Sequence, residues 1–535
     1  MHPLLKSFLV FSGGLLYAAS FPLPYSFKAQ FLLAIPAISI LLFYLTDHKN
    51  DLKNDIKNLL IFSSGYYILG FYWVAYTIEQ FGKIPFPLNY LLGLGLILFI
   101  LPQYLVFILG KHFLKNKKIF HSLKENISFK NINLALLFSL LEYLTPQQFP
   151  AHIGHPWMNM APHLGLAPWF GMPIFSFFGF WMALSLVDYI KTKKRDYMAV
   201  ISYLIFFVFN MSLPLNTSND IPNRKTTHLR LVQANIGNFM KRNSKDGNLL
   251  TIKYVKETYY KLSTLPSEFP IDLIIWPETA FPLLLSTEKM AISPVNIPSV
   301  IQKIMKTTNA ELFMGGFAAR GDYRENFESE YNSAFLFGQN ETPILKDFYH
   351  KIKLIPFGER LPFGFLNKSL SRYVRNISYF AVGNQFTLFS MRNDSHFISA
   401  ICYEILFPGF IRNYLNHNEK QADFIINLTN DSWYGDTSEP YQHLFLAKWR
   451  AVEFNIPIVR MTNTGISSLI FPDGSESRRT SIDKKEILDL KLSTSQRKKT
   501  PYQKYGIWGL IFLVILLNLS FYKKFLPKKN SKHQI

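Results

Sequence analysis

Residues 1–213 alternate long apolar stretches, rich in Phe, Leu and Tyr, with short lysine-bearing loops. Residues 505–521 are apolar again, while 228–500 read like an ordinary water-soluble chain. Each apolar stretch approaches the ~20 residues a helix needs to cross the hydrocarbon of a bilayer. Backbone in lipid must be hydrogen-bonded within its own segment, which leaves the helix as the available form for such runs. The expectation is a multi-pass α-helical membrane bundle of about eight spans, with one large extramembrane domain inserted before the last. The segments fall at about 4–20, 29–46, 58–78, 88–110, 132–145, 166–190, 197–213 and 505–521. The fifth is short, and its Glu142 must sit near an interface or face the bundle interior, because a charge facing lipid is costly. The first, with Lys6 ahead of an apolar run and Ala18-Ala19-Ser20 behind it, has the outline of a signal peptide. Further spans follow at once, so a retained helix is expected.

Loop charge orients these spans. Lys49, Lys53 and Lys57 lie in one loop, Lys111, Lys115, Lys117, Lys118, Lys124 and Lys130 in another, and Lys191, Lys193, Lys194 and Arg195 in a third. The tail adds Lys523, Lys524, Lys528, Lys529 and Lys532, whereas the alternate loops carry little beyond Lys28 and Lys83. Positive loops stay inside. Both termini are therefore expected in the cytoplasm of a bacterial cell, with the chain in the inner (cytoplasmic) membrane and residues 214–504 in the periplasm. The net charge of +21 and pI near 9.6 then reflect topology signals and anionic headgroups rather than nucleic acid, for which no zinc-finger spacing or RNA-binding aromatic motif is present.

The expected organisation is a membrane domain over 1–213 with seven helices, a polar linker over 214–227, a catalytic domain over 228–500, a C-terminal transmembrane helix over 501–522 and a basic tail over 523–535. Strand-length apolar runs recur after the linker, at 229–234, 271–276, 311–315, 333–337, 396–402, 422–428, 456–461 and 467–471, with amphipathic stretches such as 249–263 and 439–454 between them. Strands alternating with helices point to an α/β domain.

Three motifs in this domain carry chemistry. In Trp276-Pro277-Glu278, a buried strand is stopped by proline and a carboxylate follows at its carboxyl end, where α/β sheets place their sites. Walled by Trp276 and Phe281, Glu278 would suit a general base; the bland alternative is a solvated loop glutamate. In Tyr349-His350-Lys351-Ile352-Lys353-Leu354-Ile355-Pro356-Phe357-Gly358-Glu359, one lysine can be buried against carboxylates while the other reaches solvent, and the Pro-Phe-Gly turn redirects Glu359 toward the same region. The bland alternative is a surface lysine pair. Cys402-Tyr403-Glu404 ends an apolar strand and holds the single cysteine of the chain, which cannot form an internal disulfide. A lone cysteine is usually a small core residue, but a thiol with a base and a cation nearby is a nucleophile. Downstream, Asn430-Asp431-Ser432-Trp433-Tyr434-Gly435 follows another buried strand as a site-lining loop.

These motifs, in this order, resemble the nitrilase (carbon–nitrogen hydrolase) superfamily and, within it, the apolipoprotein N-acyltransferase family. Gln233-Ala234-Asn235-Ile236, Gln442-His443, Arg450-Ala451-x-Glu453 and Thr462-Asn463-Thr464-Gly465 extend the likeness, as do seven spans before the domain and one after. The resemblance implies a nitrilase-like αββα sandwich. It implies Glu278 as general base, Lys351 as the triad lysine and Cys402 as nucleophile, with Glu359 and Glu404 as supporting carboxylates and Tyr403 and Trp433 lining the acyl pocket or its entrance. The implied reaction carries a fatty acyl chain from a membrane phospholipid, through a cysteine thioester, to the N-terminal amine of S-diacylglyceryl-cysteine on apolipoproteins, the final step of lipoprotein maturation. The implied partners are the phospholipid donor, the lipidated acceptor and the membrane. No cofactor or metal is expected, and a monomer is. Lys353, Ser432 and Tyr434 depart from residues common in that family without touching the triad. A membrane-tethered nitrilase-type amidase would share the triad, whereas a transporter or receptor with a periplasmic binding domain would need no cysteine. His152, His155 and His163 share one outer loop whose prolines and tryptophans read as an interfacial segment rather than a metal site.

Overall fold

The computed structural model describes residues 2–23, 31–114, 126–213, 215, 225–237, 240, 247–320, 328–339, 342–374, 377–495 and 497–525. Every expected apolar segment falls on helix. The helices are Pro3–Ala19, Phe31–Leu45, Leu52–Gly70 with Trp73–Gly82, Leu88–Gly95 with Pro102–Phe113, Ile127–Leu144, Pro173–Thr192, Tyr197–Ser212 and Trp508–Phe525. Among the described residues, two of them, Ile127–Leu144 and Pro173–Thr192, are long and apolar enough to cross a membrane, and the pair Leu52–Gly70 and Trp73–Gln80, bent by 71°, passes as one broken span. Three segments expected as continuous are interrupted: the third, the fourth, and the sixth, which divides into Ala167–Phe170 and Pro173–Thr192 around Gly171. The fourth breaks where Pro102, lacking an N–H, can only start a new helix. The fifth, expected as the shortest, begins earlier and runs for 18 residues. Its Glu142 faces the bundle interior, accepting from Ser176 Oγ at 2.6 Å and Ile153 N at 3.0 Å.

Pro3–Ala19 and Leu52–Gly70 cross where Gly14 meets the Phe62 carbonyl and Gly65 the Phe11 carbonyl, an approach that a Cβ at either glycine would block. Not every basic loop residue is free. Lys111 is buried, with Nζ 2.6 Å from Asp55 and bonded to the carbonyls of Leu45 (2.9 Å) and Asp47 (2.8 Å). Lys130 pairs with Asp188 at 2.7 Å. The remaining lysines of the 115–125 loop, and Lys528, Lys529 and Lys532, lie outside the described residues.

The α/β domain contains β1 (Lys225–Gln233), β2 (Leu273–Trp276), β3 (Leu284–Leu285), β4 (Glu311–Ala319), β5 (Glu330–Gln339), β6 (Pro343–His350), β7 (Phe389–Ser390), β8 (His396–Ile401), β9 (Phe424–Thr429), β10 (Ile458–Thr462), β11 (Ser468–Ile470) and β12 (Glu486–Thr494). One sheet has the order β12-β1-β2-β4-β5-β6 with β3 on β4, the other β11-β10-β9-β8-β7. The centres, β1-β2-β4 and β8-β9-β10, are parallel and the edges antiparallel. Strand β1 starts at Lys225, inside the stretch expected as linker, because β12 pairs with it from Lys225↔Thr494 onward.

Period-two alternation sorts β1 residues between two cores. Leu229 and Leu231 join Leu273, Ile275, Phe313 and Leu336 against the second sheet, where Phe313 meets Phe389 and Phe397 edge-on at 5.0 Å. Val232, with Ile274, Trp276 and Met314, faces helices Leu249–Ser263 and Ser299–Thr308. Phe410 and Tyr414 from helix Pro408–His417 and Leu444 and Ala447 from helix Glu439–Phe454 join the core of the second sheet. The layers are helix, sheet, sheet, helix. The carboxyl ends of β2, β6, β8 and β9 converge on one end of the sandwich.

Candidate active site

Strand β8 ends at Ile401, and the chain turns at Cys402 into a short 3₁₀ helix, Cys402–Leu406. Cys402 itself has φ +51°, a left-handed conformation rare for a residue with a side chain. Such strain persists only where surroundings impose it. They do: the Glu404 carboxylate accepts from Ile401 N at 2.8 Å with one oxygen, and from Ile352 N (2.8 Å), Lys353 N (2.9 Å) and the Tyr349 hydroxyl (2.8 Å) with the other. One buried carboxylate thus stitches the cysteine turn to the lysine segment.

That segment leaves β6 with Lys351 fully buried. Its Nζ lies 3.2 Å from Glu278 Oε1 and 2.9 Å from Glu359 Oε1. Lys353 points outward and stacks its ammonium over Phe407 at 4.8 Å, so the lysine expected inside is the one found there. Glu359 is fixed by Ile355 N at 2.9 Å across a turn in which Phe357 has φ +63°. Asn332, on β5, donates Nδ2 to Glu278 Oε1 at 2.7 Å and to Glu359 Oε1 at 2.9 Å. The motifs did not include Asn332; an amide inside the apolar strand Tyr331–Phe337 is the signal that could have revealed it. Trp276 and Phe281 are the residues expected to wall Glu278. Both belong to the outer core, where Trp276 stacks on Tyr259 at 4.4 Å and bonds Ser263.

Burial and the Glu278 charge push the Cys402 thiol well above its ordinary pKa, against the opposing pull of Lys351 and a hydrogen bond with Thr429. Burial alone would depress the Lys351 ammonium, but Glu278 and Glu359 outweigh it and hold it above its usual value. The resting site is a neutral thiol near a carboxylate and a lasting cation, not a stored thiolate.

Tyr403 is half-buried, packed edge-on to Phe407 at 4.7 Å. Trp433, also half-buried, closes the 3₁₀ turn Asp431–Trp433 that follows β9. Behind this turn Asp431, Glu439 and His443 bring ligand atoms within 4.8 Å of one another, the one group among the described residues spaced to hold a metal ion. Arg460 already binds Asp431 at 3.0 Å, and His443 lies 3.4 Å from Glu439. Asp431 and Arg460 form a buried ion pair, with Glu439 and His443 beside it. Burial pushes Glu439 up to about 7, whereas at Asp431 the neighbouring Arg460 outweighs burial and holds the carboxyl low.

Residues 12–185 match the apolipoprotein N-acyltransferase N-terminal domain. The chain is similar to the apolipoprotein N-acyltransferases of Haemophilus ducreyi, 29% identical over 503 residues and 90% of each chain, and of Rickettsia bellii, 27% identical over 97% of each. That of Bdellovibrio bacteriovorus is 26% identical over 89% of this chain and 86% of its own. Among solved structures, an amidase from Nesterenkonia sp. is similar over 56% of this chain and 99% of its own, at 16% identity and a TM-score of 0.34. Residues 228–502, which hold the Glu278, Lys351 and Cys402 cluster, match the carbon–nitrogen hydrolase family over more than half of the sequence, and the chain belongs to that family.

Proposed function

We propose that the protein is an apolipoprotein N-acyltransferase working by ping-pong transfer through a Glu278–Lys351–Cys402 triad. The observation that carries this reading is the buried Lys351 held between Glu278 and Glu359 beside the single cysteine of the chain. Because the thiol rests neutral, its proton leaves as sulfur attacks. Glu278 takes the proton, and Sγ adds to an ester carbonyl of a membrane phospholipid. Lys351 and the Tyr403 amide, at the start of a 3₁₀ helix, hold the oxyanion. Collapse breaks the ester C–O bond, and the lysophospholipid leaves with the proton from Glu278. The free α-amine of an S-diacylglyceryl-cysteine then attacks the thioester, gives its proton to Glu278 and releases the thiol, which is reprotonated. Glu359 and Glu404 position these groups, and Tyr403 and Trp433 line the acyl pocket.

The same reading places eight spans in the inner membrane, with 1–213 as the membrane domain, 214–227 as linker, 228–500 as the catalytic domain in the periplasm, and 501–522 as the last span before a cytoplasmic tail. The enzyme acts as a monomer. The bent pair Leu52–Gly70/Trp73–Gln80 supports a broken third span.

The test is mass spectrometry of Cys402 after purified protein meets phospholipid vesicles. A hydroxylamine-sensitive acyl adduct is expected, transferred to a diacylglyceryl peptide on its addition. An adduct on a Cys402→Ala protein would overturn the assignment, and hydrolysis without transfer would make the protein an amidase-type hydrolase.

A further inference from the structure

The break in the third apolar segment frees the backbone carbonyl of Gly70 from its helical partner. Phe71 N still bonds Tyr67 O at 2.8 Å, but Val74 N bonds Phe71 O at 3.0 Å instead of reaching Gly70 O, its partner in an unbroken helix. A carbonyl without a donor is costly in apolar surroundings. Gly70 O is satisfied partly by Trp73 Nε1 at 3.2 Å and otherwise from the catalytic domain, by Gln442 Nε2 at 3.0 Å and Ser438 Oγ at 3.4 Å. The Gln442 amide orientation follows from this contact, because only its nitrogen can face a carbonyl. Among the described residues its buried Oε1 has no hydrogen-bond partner, and it lies beside a narrow crevice lined by Phe21, Tyr66, Phe71 and Phe149.

The same junction holds the loop that follows β9. Trp73 meets Tyr434 edge-on at 5.3 Å. Gly435, at φ +63°, approaches Tyr76 so closely that a Cβ would lie 3.0 Å from its ring. The loop begins at Asp431, tied to Arg460, and ends at Ser438, where the helix bearing Gln442 starts. Tyr434 lies within electrostatic reach of the Cys402 and Glu278 side chains.

We propose that Gln442 is a positioning residue that latches the Trp433–Tyr434 wall of the acyl pocket to the carbonyl exposed at the break in the membrane helix. The membrane half thereby sets the width of the pocket, and the helix break is the docking point rather than a defect. That Trp433 and Tyr434 wall the acyl pocket rests on the acyltransferase reading; the contacts that make the latch do not.

The single cysteine makes the test specific. Full-length protein in vesicles is treated with N-ethylmaleimide and with N-dodecylmaleimide, and the rate of Cys402 alkylation is measured for each. Gln442→Leu, which keeps volume and removes the donor, is expected to shift the long-chain to short-chain rate ratio about tenfold. Gln442→Lys, which restores an N–H donor at similar reach, should return most of it. Should Gln442→Leu not fold, Gly435→Ala, which presses on Tyr76, should shift the same ratio. An unchanged ratio in folded variants, or equal changes with both reagents, would overturn the latch. Thioester formation from phospholipid is followed in parallel. Its absence in the parent protein would defeat the acyltransferase reading and leave the maleimide ratio to judge the latch.

Discussion

Asn332 is the residue whose replacement most directly tests the site geometry. Its Nδ2 bridges Glu278 and Glu359 at 2.7 and 2.9 Å, so two carboxylates share one lysine and one amide. Hydrogen bonds to charged groups contribute ~1.5–3 kcal/mol each. Asn332→Leu removes two of them at nearly constant volume. Lys351 still contacts both carboxylates, and losses inside one network do not add. A net loss of ~3 kcal/mol is expected, a drop in melting temperature of roughly 6–12 °C for a domain of this size. Glu278 would also turn away from the thiol, and a positioned base contributes ~10²–10⁴-fold. Single-turnover formation of the Cys402 thioester should therefore slow about 100-fold, with transfer from a preformed thioester also impaired because the same base serves both halves. Asn332→Asp should be worse at neutral pH, since three carboxylates would crowd one lysine, and should recover partly as the added carboxyl protonates. A folded Asn332→Leu protein with thioester formation within twofold of the parent would refute the assignment of Glu278 as a base held by this amide.

Three further outcomes follow from the same contacts. Glu404→Gln keeps one acceptor oxygen and turns an N–H₂ toward Ile401 N, so the strained Cys402 turn should relax; stability should fall by ~2 kcal/mol and thioester formation at least tenfold, measured by melting and adduct kinetics. Gly315→Ala would place Cβ 2.5 Å from Pro277 O and 2.6 Å from Glu278 Cα, so the base should shift and activity should fall more than the melting temperature. His350, stacked on Tyr331, is pulled down to about 4 by burial, from 6.5. The unfolded chain then takes up the proton first, so stability is full above pH ~6.5 and is lost as pH falls toward 4, by up to ~3 kcal/mol. Denaturant unfolding of His350→Gln across this range should show that slope reduced, and an unchanged slope would refute the burial argument.

The parts of this site readable from sequence are those fixed by local pattern. Glu278 follows a strand stopped by Pro277, and Cys402 follows the strand His396–Ile401, so strand ends could be seen before their neighbours were known. Residue pattern left Lys351 and Lys353 open, and the family resemblance chose Lys351, which the turn that returns Glu359 accommodates. Asn332 was not legible: its role depends on β5 lying beside β4 and on two carboxylates from distant segments meeting above it, which no spacing encodes. The side on which Trp276 packs was not legible for a related reason. Trp276 alternates to the outer face of β2, and strand parity decides that side only once both faces are known to be covered. Segment hydropathy located the helices yet gave no sign that Leu52–Gly82 breaks at Phe71–Tyr72, since no proline lies there. The break is stabilised from outside, by Gln442 and Ser438 on Gly70 O. A carbonyl in the membrane half is thus completed by the catalytic half, so a catalytic domain expressed without residues 1–213 should expose the Gln442 face and lose the Trp73 contact with Tyr434. It would then be expected to retain the Glu278–Lys351–Glu359 cluster but not a pocket of defined width.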